Sequence, residues 1–187
     1  MSGILYVVGT PIGNLNDFSP RAVETLASVD FIAAEDTRVT LKLLNHFDIK
    51  KEMVSYFEHN KRQRGEIICK RILDGENCAI VTDAGMPAIS DPGEDLVALC
   101  YELGIEVQSV PGPTAFATAL AISGMPTGRF TFEGFLAPSA QAAYRARCRR
   151  RCGRVLNKKL KVQLRNNRAA LFLYNVRLFI YPSSTGA

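Results

Sequence analysis

The sequence predicts a two-domain α/β protein whose N-terminal domain is a mostly parallel sheet with helices on both faces. Short apolar runs rich in β-branched residues alternate with amphipathic helical patterns along residues 1–112. This alternation is typical of strand–helix–strand units, and continuous apolar runs indicate strands that are buried on both sides. The predicted strands are Ile4–Val8, Phe31–Ala34, Met53–Tyr56, Cys78–Thr82 and Ile105–Val110.

The segments between these strands carry helix signals. Ser19-Pro20 supplies a capping hydroxyl and a first-turn proline for the first helix. A second helix follows Glu35-Asp36, a third is predicted over Arg64–Leu73, and a fourth runs from the Asp91-Pro92-Gly93 break to Leu103. The apolar face expected of the third helix is Ile67, Ile68, Ile72 and Leu73.

A second domain is predicted over residues 113–187. A helix over Ala115–Ser123 and a strand over Phe130–Phe135 begin it, and no further element is predicted beyond Leu136. We expect this second domain to be incomplete.

The composition indicates a globular protein and excludes a disordered or fibrous chain. Of the 187 residues, 47% are hydrophobic and 22% charged. No apolar run approaches the roughly 20 residues that span a bilayer, and no secretory signal is evident, so we expect a cytoplasmic protein without a membrane partner. Five cysteines without a CxxC pair indicate reduced structural thiols rather than a disulfide framework or a metal site.

Charge divides the chain into two unlike parts. Residues 1–136 hold 11 Lys/Arg and 18 Asp/Glu, whereas residues 137–187 hold 12 Lys/Arg and no acid. The net charge of +5 is therefore the sum of an acidic part and a strongly basic tail.

Three Gly- and Pro-rich loops follow the first, fourth and fifth predicted strands: Gly9–Leu15, Asp83–Gly93 and Val110–Ala115. Glycine lets the backbone approach a ligand and proline fixes the loop beforehand. Ligands of parallel α/β sheets bind at the carboxyl ends of strands, so the three loops predict a backbone-lined site. Glu35, 22 residues beyond Gly13, matches the ribose-binding acid of a nicotinamide-dinucleotide enzyme, but the first loop lacks GxGxxG.

Six ordered motifs resemble the ribosomal small-subunit methyltransferase I family of the tetrapyrrole-methylase (class III) superfamily, over about residues 3–136. The motifs are Val8–Leu15, Ala34–Arg38, Glu58–Asn60, Asp83–Pro87 with Ser90–Gly93, Val110–Pro113 and Arg129–Leu136.

The resemblance implies a homodimeric class III methyltransferase that binds S-adenosylmethionine between its domains and methylates the 2′-hydroxyl of a cytidine in 16S rRNA of the small ribosomal subunit. Asn14 and Arg38 are candidate substrate contacts, Arg38 to a phosphate, and Lys61, Arg62 and Arg64 form either an RNA-phosphate patch or only a solvated face. The resemblance also places Pro11 and Gly13 on the substrate side of the cleft. The cofactor-binding residues that it implies are Pro11, Gly13, Asp83, Ala84, Gly85, Met86, Pro87, Ile89, Ser90, Pro111, Gly112, Thr114 and Ala115.

Methyl transfer to a hydroxyl requires alignment and a proton acceptor, but no metal. The candidate bases are Glu35, Asp36 and His59. Each has a plainer interpretation: Asp36 caps a helix, Glu35 pairs with Arg38 on the surface, and His59 is a solvated loop residue. Two alternative functions stay open, a small-molecule methylase acting on a tetrapyrrole precursor and a catalytically inactive RNA-binding protein.

The tail departs from the family pattern. Six of the ten residues Arg145–Arg154 are arginine, and Leu171–Tyr181 is strongly apolar. We favour a change of reading frame near Leu136, because so apolar a segment is atypical of a solvated RNA-binding arm. The alternative is a basic RNA-binding extension.

Overall fold

The structure is a computed structural model that describes residues 2–57, 59, 61–124, 127–135 and 176–180. It divides the chain into two compact units, residues 1–113 and residues 114–187.

The first unit contains a five-stranded sheet of order β3-β2-β4-β1-β5, in which every pairing is parallel. This confirms the predicted sheet class. The third strand, β3 (Glu52–Ser55), starts and ends one residue earlier than predicted. Tyr56 lies just beyond it, and its amide still donates a hydrogen bond to the Ala34 carbonyl of the neighbouring strand at 2.8 Å. The strands are β1 (Ile4–Val8), β2 (Phe31–Ala34), β3 (Glu52–Ser55), β4 (Cys78–Val81) and β5 (Glu106–Val110).

Four helices cover the two faces of this sheet. α1 (Pro20–Ser28) and α2 (Thr37–His46) bury their apolar residues on one face, whereas α3 (Lys61–Leu73) and α4 (Glu94–Glu102) pack on the other. β2 and β4 are fully buried, as strands covered on both faces must be.

Local sequence sets the starts of α1 and α2. The Ser19 hydroxyl accepts a hydrogen bond from the Ala22 amide at 3.1 Å, and Pro20 occupies the first helical position, as predicted. Asp36 caps α2 by accepting from the Arg38 amide at 2.8 Å. Both helices therefore begin directly beyond a strand or its loop.

The predicted apolar face of α3 is wrong at two positions. Ile67 and Leu73 are 43% and 45% exposed. The helix begins three residues earlier than predicted, at Lys61, and its buried positions follow the i, i+3, i+4, i+7 spacing of a single helical stripe. These buried positions are Gly65, Ile68, Cys69 and Ile72.

Three cysteines are buried free thiols in the core of the first unit, as expected. The Sγ atoms of Cys69 on α3 and Cys100 on α4 lie 3.7 Å apart. Burial raises the pKa of the Cys78 thiol, which keeps it protonated and unreactive. Cys148 and Cys152 lie outside the described residues.

The second unit contains α5 (Ala115–Ala121) and an antiparallel pair of strands, β6 (Phe130–Phe135) and β7 (Val176–Ile180). The rings of Phe116 and Phe132 stack with their centroids 4.8 Å apart. β7 lies inside the apolar stretch for which no element was predicted. An apolar run pairs readily with another strand, but the periodicity of the sequence could not identify its partner, whose paired residues lie 41–50 positions earlier.

No helix in the described part of the chain is long and apolar enough to cross a bilayer.

The corrected face of α3 predicts opposite effects for two adjacent isoleucines. Ile68→Ala leaves a cavity in the core and lowers the free energy of unfolding by about 2–4 kcal/mol, whereas Ile67→Ala changes it by less than about 1 kcal/mol. Urea unfolding of the two variants measures this difference. Equal losses would contradict the observed face.

Candidate functional site

The three Gly- and Pro-rich loops meet because β4, β1 and β5 are neighbours in the sheet. Thr10 and Gly85 form an antiparallel bridge, in which the Thr10 amide donates to the Gly85 carbonyl at 2.9 Å and the Gly85 amide donates back at 3.1 Å. The buried Thr10 hydroxyl donates to the Thr82 carbonyl at 3.1 Å. The loops after β1 and β4 are therefore held together by backbone bonds.

The loops after β1 and β5 approach so closely that only glycine fits at their contact. A Cβ on Gly112 would lie 2.7 Å from the Gly9 Cα, and one on Gly9 would lie 2.6 Å from both the Gly112 Cα and the Met86 Sδ. The Gly112 amide also donates to Met86 Sδ at 3.3 Å. All three loops thus converge on the Gly9–Gly112 contact.

Unusual backbone conformations concentrate in the loop after β4. Gly85 has φ +99°, and the non-glycine residues Ala88 and Ser90 have φ +63° and +61°. Left-handed non-glycine residues cost about 1–3 kcal/mol each and cluster at ligand sites. The loop is therefore held in a shape that its own residues disfavour.

Glu35 faces this loop from the end of β2. Its Oε2 accepts from the Thr82 hydroxyl at 2.5 Å and from the Asp83 amide at 3.3 Å. Asp83 Oδ1 in turn accepts from the Asp36 amide at 3.3 Å. These bonds join the end of β2 to the loop after β4, since the two strands are adjacent.

Asp36 is paired with Arg38, which corrects the expected pairing of Arg38 with Glu35. The Arg38 Nη2 lies 2.7 Å from Asp36 Oδ2, and Arg38 Nε donates to Oδ1 at 3.0 Å. Hydrogen bonds from Arg38 lower the pKa of Asp36 to about 2. The Arg38 side chain is nonetheless 88% exposed, so its outer edge is accessible to an anion.

Two further carboxyls in the loop have raised pKa values. Burial, followed by the charges of Glu35 and Asp83, raises the pKa of Asp91 to about 6. Burial and then the Glu35 charge raise the pKa of Asp83. The sequence analysis did not identify Asp91 as a candidate site residue and used it only to mark the start of α4. Its position in the same loop as Asp83 is the feature that could have identified it.

The remaining candidate substrate residues lie in the loop after β1 and in the segment after β3. Asn14 is exposed, with its Oδ1 accepting from the Asn16 amide at 3.1 Å. His59 is exposed in the segment after β3, with its ring 6.2 Å from that of Phe57. Lys61 opens α3 and pairs with Asp95 at 2.7 Å, and Arg62 is exposed.

The candidate cofactor residues fall on both units. Pro87 and Gly85 are buried, whereas Ile89 and Ser90 are exposed. Thr114 and Ala115 belong to the second unit, at the start of α5. The loops of the first unit hold Pro11, Gly13, Asp83, Ala84, Gly85, Met86, Pro87, Ile89, Ser90, Pro111 and Gly112.

The parallel sheet with its three converging loops defines an α/β protein with a candidate ligand site at the strand ends. The family model described as Tetrapyrrole (Corrin/Porphyrin) Methylases matches residues 4–180. The chain belongs to this family, which confirms the predicted fold class.

Among curated relatives, the chain is 58% identical over 134 residues to a protein of Synechocystis sp. named Ribosomal RNA small subunit methyltransferase I. That match covers 72% of this chain and 48% of the relative. A protein of the same name from Halalkalibacterium halodurans is 55% identical, with 72% of this chain and 46% of the relative covered. The chain spans about half the length of these relatives.

A solved structure supports the fold. The crystal structure of uroporphyrin-III-C-methyltransferase from Thermus thermophilus matches with a TM-score of 0.51 and 21% identity, covering 68% of this chain and 54% of that one.

The glycine contact predicts that Gly112→Ala is destabilising. The added Cβ meets backbone atoms that cannot move aside, so the free energy of unfolding falls by about 2–3 kcal/mol. The matched control is Gly128→Ala, where nothing lies within 4 Å of the added atom. Denaturant unfolding measures both, and a Gly112→Ala chain as stable as the control would contradict the contact.

The raised pKa of Asp91 predicts that its ionisation lowers the stability of the fold. Its folded pKa of about 6 exceeds the ordinary aspartate value of 3.8, so the folded state binds more protons between these values and stability falls as pH rises from about 4 to 6. Asp91→Asn removes this penalty and stabilises the protein at pH 7 by about 1 kcal/mol, after discounting for the partial exposure of the carboxyl. Thermal unfolding at pH 4 and pH 7 measures it, and an equal effect at both would contradict the shift.

Proposed function

We propose that the chain is an S-adenosylmethionine-dependent methyltransferase that methylates the ribose 2′-hydroxyl of a cytidine in 16S rRNA. The carrying observation is the convergence of the three loops on the Gly9–Gly112 contact in a tetrapyrrole-methylase family member. The names of its relatives support ribosomal RNA of the small subunit as the substrate. As part of this proposal, the protein works in the cytoplasm as a homodimer.

Backbone hydrogen-bonding groups and negative charge at the loops support the choice of cofactor. Backbone amides and carbonyls line a rigid strand-end junction, which suits a ligand that is recognised by its outline and hydrogen bonds. The carboxylates of Glu35, Asp83 and Asp91 lie beside this junction, and their negative charge complements a cation. When bound, S-adenosylmethionine supplies a methyl group on a positively charged sulfonium.

The carboxylates of Glu35 and Asp36 already accept hydrogen bonds that fix the loop after β4 and the start of α2. Glu35 holds the loop after β4 through Thr82 and Asp83. Asp36 has a pKa of about 2 and is a weak base. Their role in the proposal is to fix the loops, with Arg38 presenting its exposed edge to an RNA phosphate.

We assign Asp91 as the base that accepts the proton of the attacking hydroxyl. The ribose oxygen forms a bond to the methyl carbon as the carbon–sulfur bond breaks, and the hydroxyl proton must pass to a base. With a pKa of about 6, Asp91 is ionised at neutral pH and is more basic than an ordinary aspartate. His59 is the alternative base, because it is exposed beside the same end of the sheet.

Methyl incorporation from labelled S-adenosylmethionine into isolated small ribosomal subunits tests the proposal. We expect incorporation at a cytidine ribose by the wild-type chain, and about a hundredfold fall in kcat for Asp91→Asn, typical of a lost general base. Wild-type activity rises through about pH 6, and this rise disappears in the variant.

The matched control for that experiment is His59→Gln. A fall in kcat confined to His59→Gln would move the base to His59. Labelling of a tetrapyrrole precursor instead of RNA would support a small-molecule methylase, and RNA binding without incorporation would support the inactive RNA-binding protein.

A further inference from the structure

Charge in the first unit is divided between two segments. Residues 37–73 hold nine Lys/Arg and four Asp/Glu, whereas residues 74–113 hold eight Asp/Glu and no Lys or Arg. The acidic average of this unit therefore conceals a basic segment.

The basic segment contains one edge strand of the sheet, whereas the acidic segment contains the central strand β4 and the opposite edge strand β5. β3 is one edge strand, and the helices on either side of it in sequence, α2 and α3, cover opposite faces of the sheet next to it. β5 is the other edge strand, preceded along the chain by the acidic α4. The basic segment thus surrounds one edge of the sheet.

Some basic residues of this segment are neutralised by ion pairs. Arg71 pairs with Glu52 and Glu76, and Lys61 pairs with Asp95 on α4. Six others make no ion pair with any residue that the structure describes, and five of these are exposed while Lys51 is half-buried. Leaving aside Arg62, which is already a candidate substrate contact, we call the other five the basic edge: Lys42, Lys50, Lys51, Arg64 and Lys70.

The basic edge lies beside β3, which β2 separates from the strands that carry the three loops. Lys50 and Lys51 precede β3 and Lys70 lies in the last turn of α3, so these three mark the amino-terminal end of the edge. Arg64 lies in the first turns of α3, at the carboxyl-terminal end of the edge, where Arg38 and Arg62 also lie. Positive charge therefore extends along β3 from the candidate site to the opposite end of the sheet.

We propose that the basic edge is an RNA-binding surface, on which phosphates beyond the target nucleotide lie along β3 between the outer sides of α2 and α3. The inference rests on the proposed function and adds the direction in which the substrate RNA leaves the site. Phosphates bind lysine and arginine with release of counterions, whereas the acidic β5 edge repels them. The two edges together orient a polyanion relative to the loops.

Binding of the full 187-residue chain to protein-free 16S rRNA, measured over a range of salt concentrations, tests the proposal. The variant changes Lys42, Lys50, Lys51, Arg64 and Lys70 to Gln, all outside the methyl-transfer loops. We expect at least about tenfold weaker binding at 100 mM salt, and a slope of log K against log salt that is shallower by about two or more, since each lost phosphate contact contributes roughly 0.7–0.9.

The matched control removes the same charge from the tail, with Arg145, Arg147, Arg149, Arg150 and Arg151 changed to Gln. A second variant with the four basic-edge lysines changed to arginine keeps the charge and is expected to bind as the wild type does. An unchanged slope in the first variant, or a loss of affinity found only in the tail variant, would overturn the proposal that the basic edge binds RNA.

Thermal unfolding compares the folding of all variants with that of the wild type. Methyl incorporation by the wild-type chain separates the two proposals. Binding that depends on the basic edge without any methyl incorporation would overturn the proposed function and leave the RNA surface standing.

Discussion

The contact between Gly9 and Gly112 is the constraint on which the candidate site depends. It lies between the carboxyl ends of two adjacent parallel strands, and the Gly9 amide also donates to the Val110 carbonyl at 3.1 Å. Because the backbones touch, the loops after β1 and β5 have one relative position, and Met86 fixes the loop after β4 against them. The hydrogen bonds from Thr10 and to Glu35 then extend this fixed junction to β4 and β2.

The charged side chains are also unevenly distributed over the sheet. Carboxyls collect at the loop junction, where burial and mutual repulsion raise the pKa values of Asp83 and Asp91. Lysines and arginines collect at the β3 edge. The proposed cationic cofactor and the proposed RNA would thus meet opposite charges in adjacent regions of one sheet, although the unit as a whole is acidic.

Much of this could be predicted from the sequence. Buried strands are recognisable as apolar runs, and Ser19-Pro20 marks the start of α1. The three loops could be placed at one edge of the sheet because parallel strands share a carboxyl end. The choice between Ile67 and Ile68 could not be made, since it depends on which side of α3 packs against the sheet.

Other features needed the folded chain. The strand order that makes β1, β4 and β5 neighbours is a tertiary property, and so are the Gly9–Gly112 contact and the isolation of Asp91 from any nearby cation in the described residues. The pairing of Arg38 with Asp36 rather than Glu35 follows from the helix cap, which turns the Asp36 carboxylate towards the first turn of α2. The tail lies outside the described residues except for β7, and the change of reading frame near Leu136 stays a prediction.

Binding of S-adenosylmethionine at the strand-end loops is the proposal on which the methyltransferase function rests. Isothermal titration of the wild-type chain with S-adenosylmethionine, and separately with NAD, tests it. We expect saturable binding of S-adenosylmethionine at one site per chain and no heat of binding with NAD. Binding of NAD alone would contradict it.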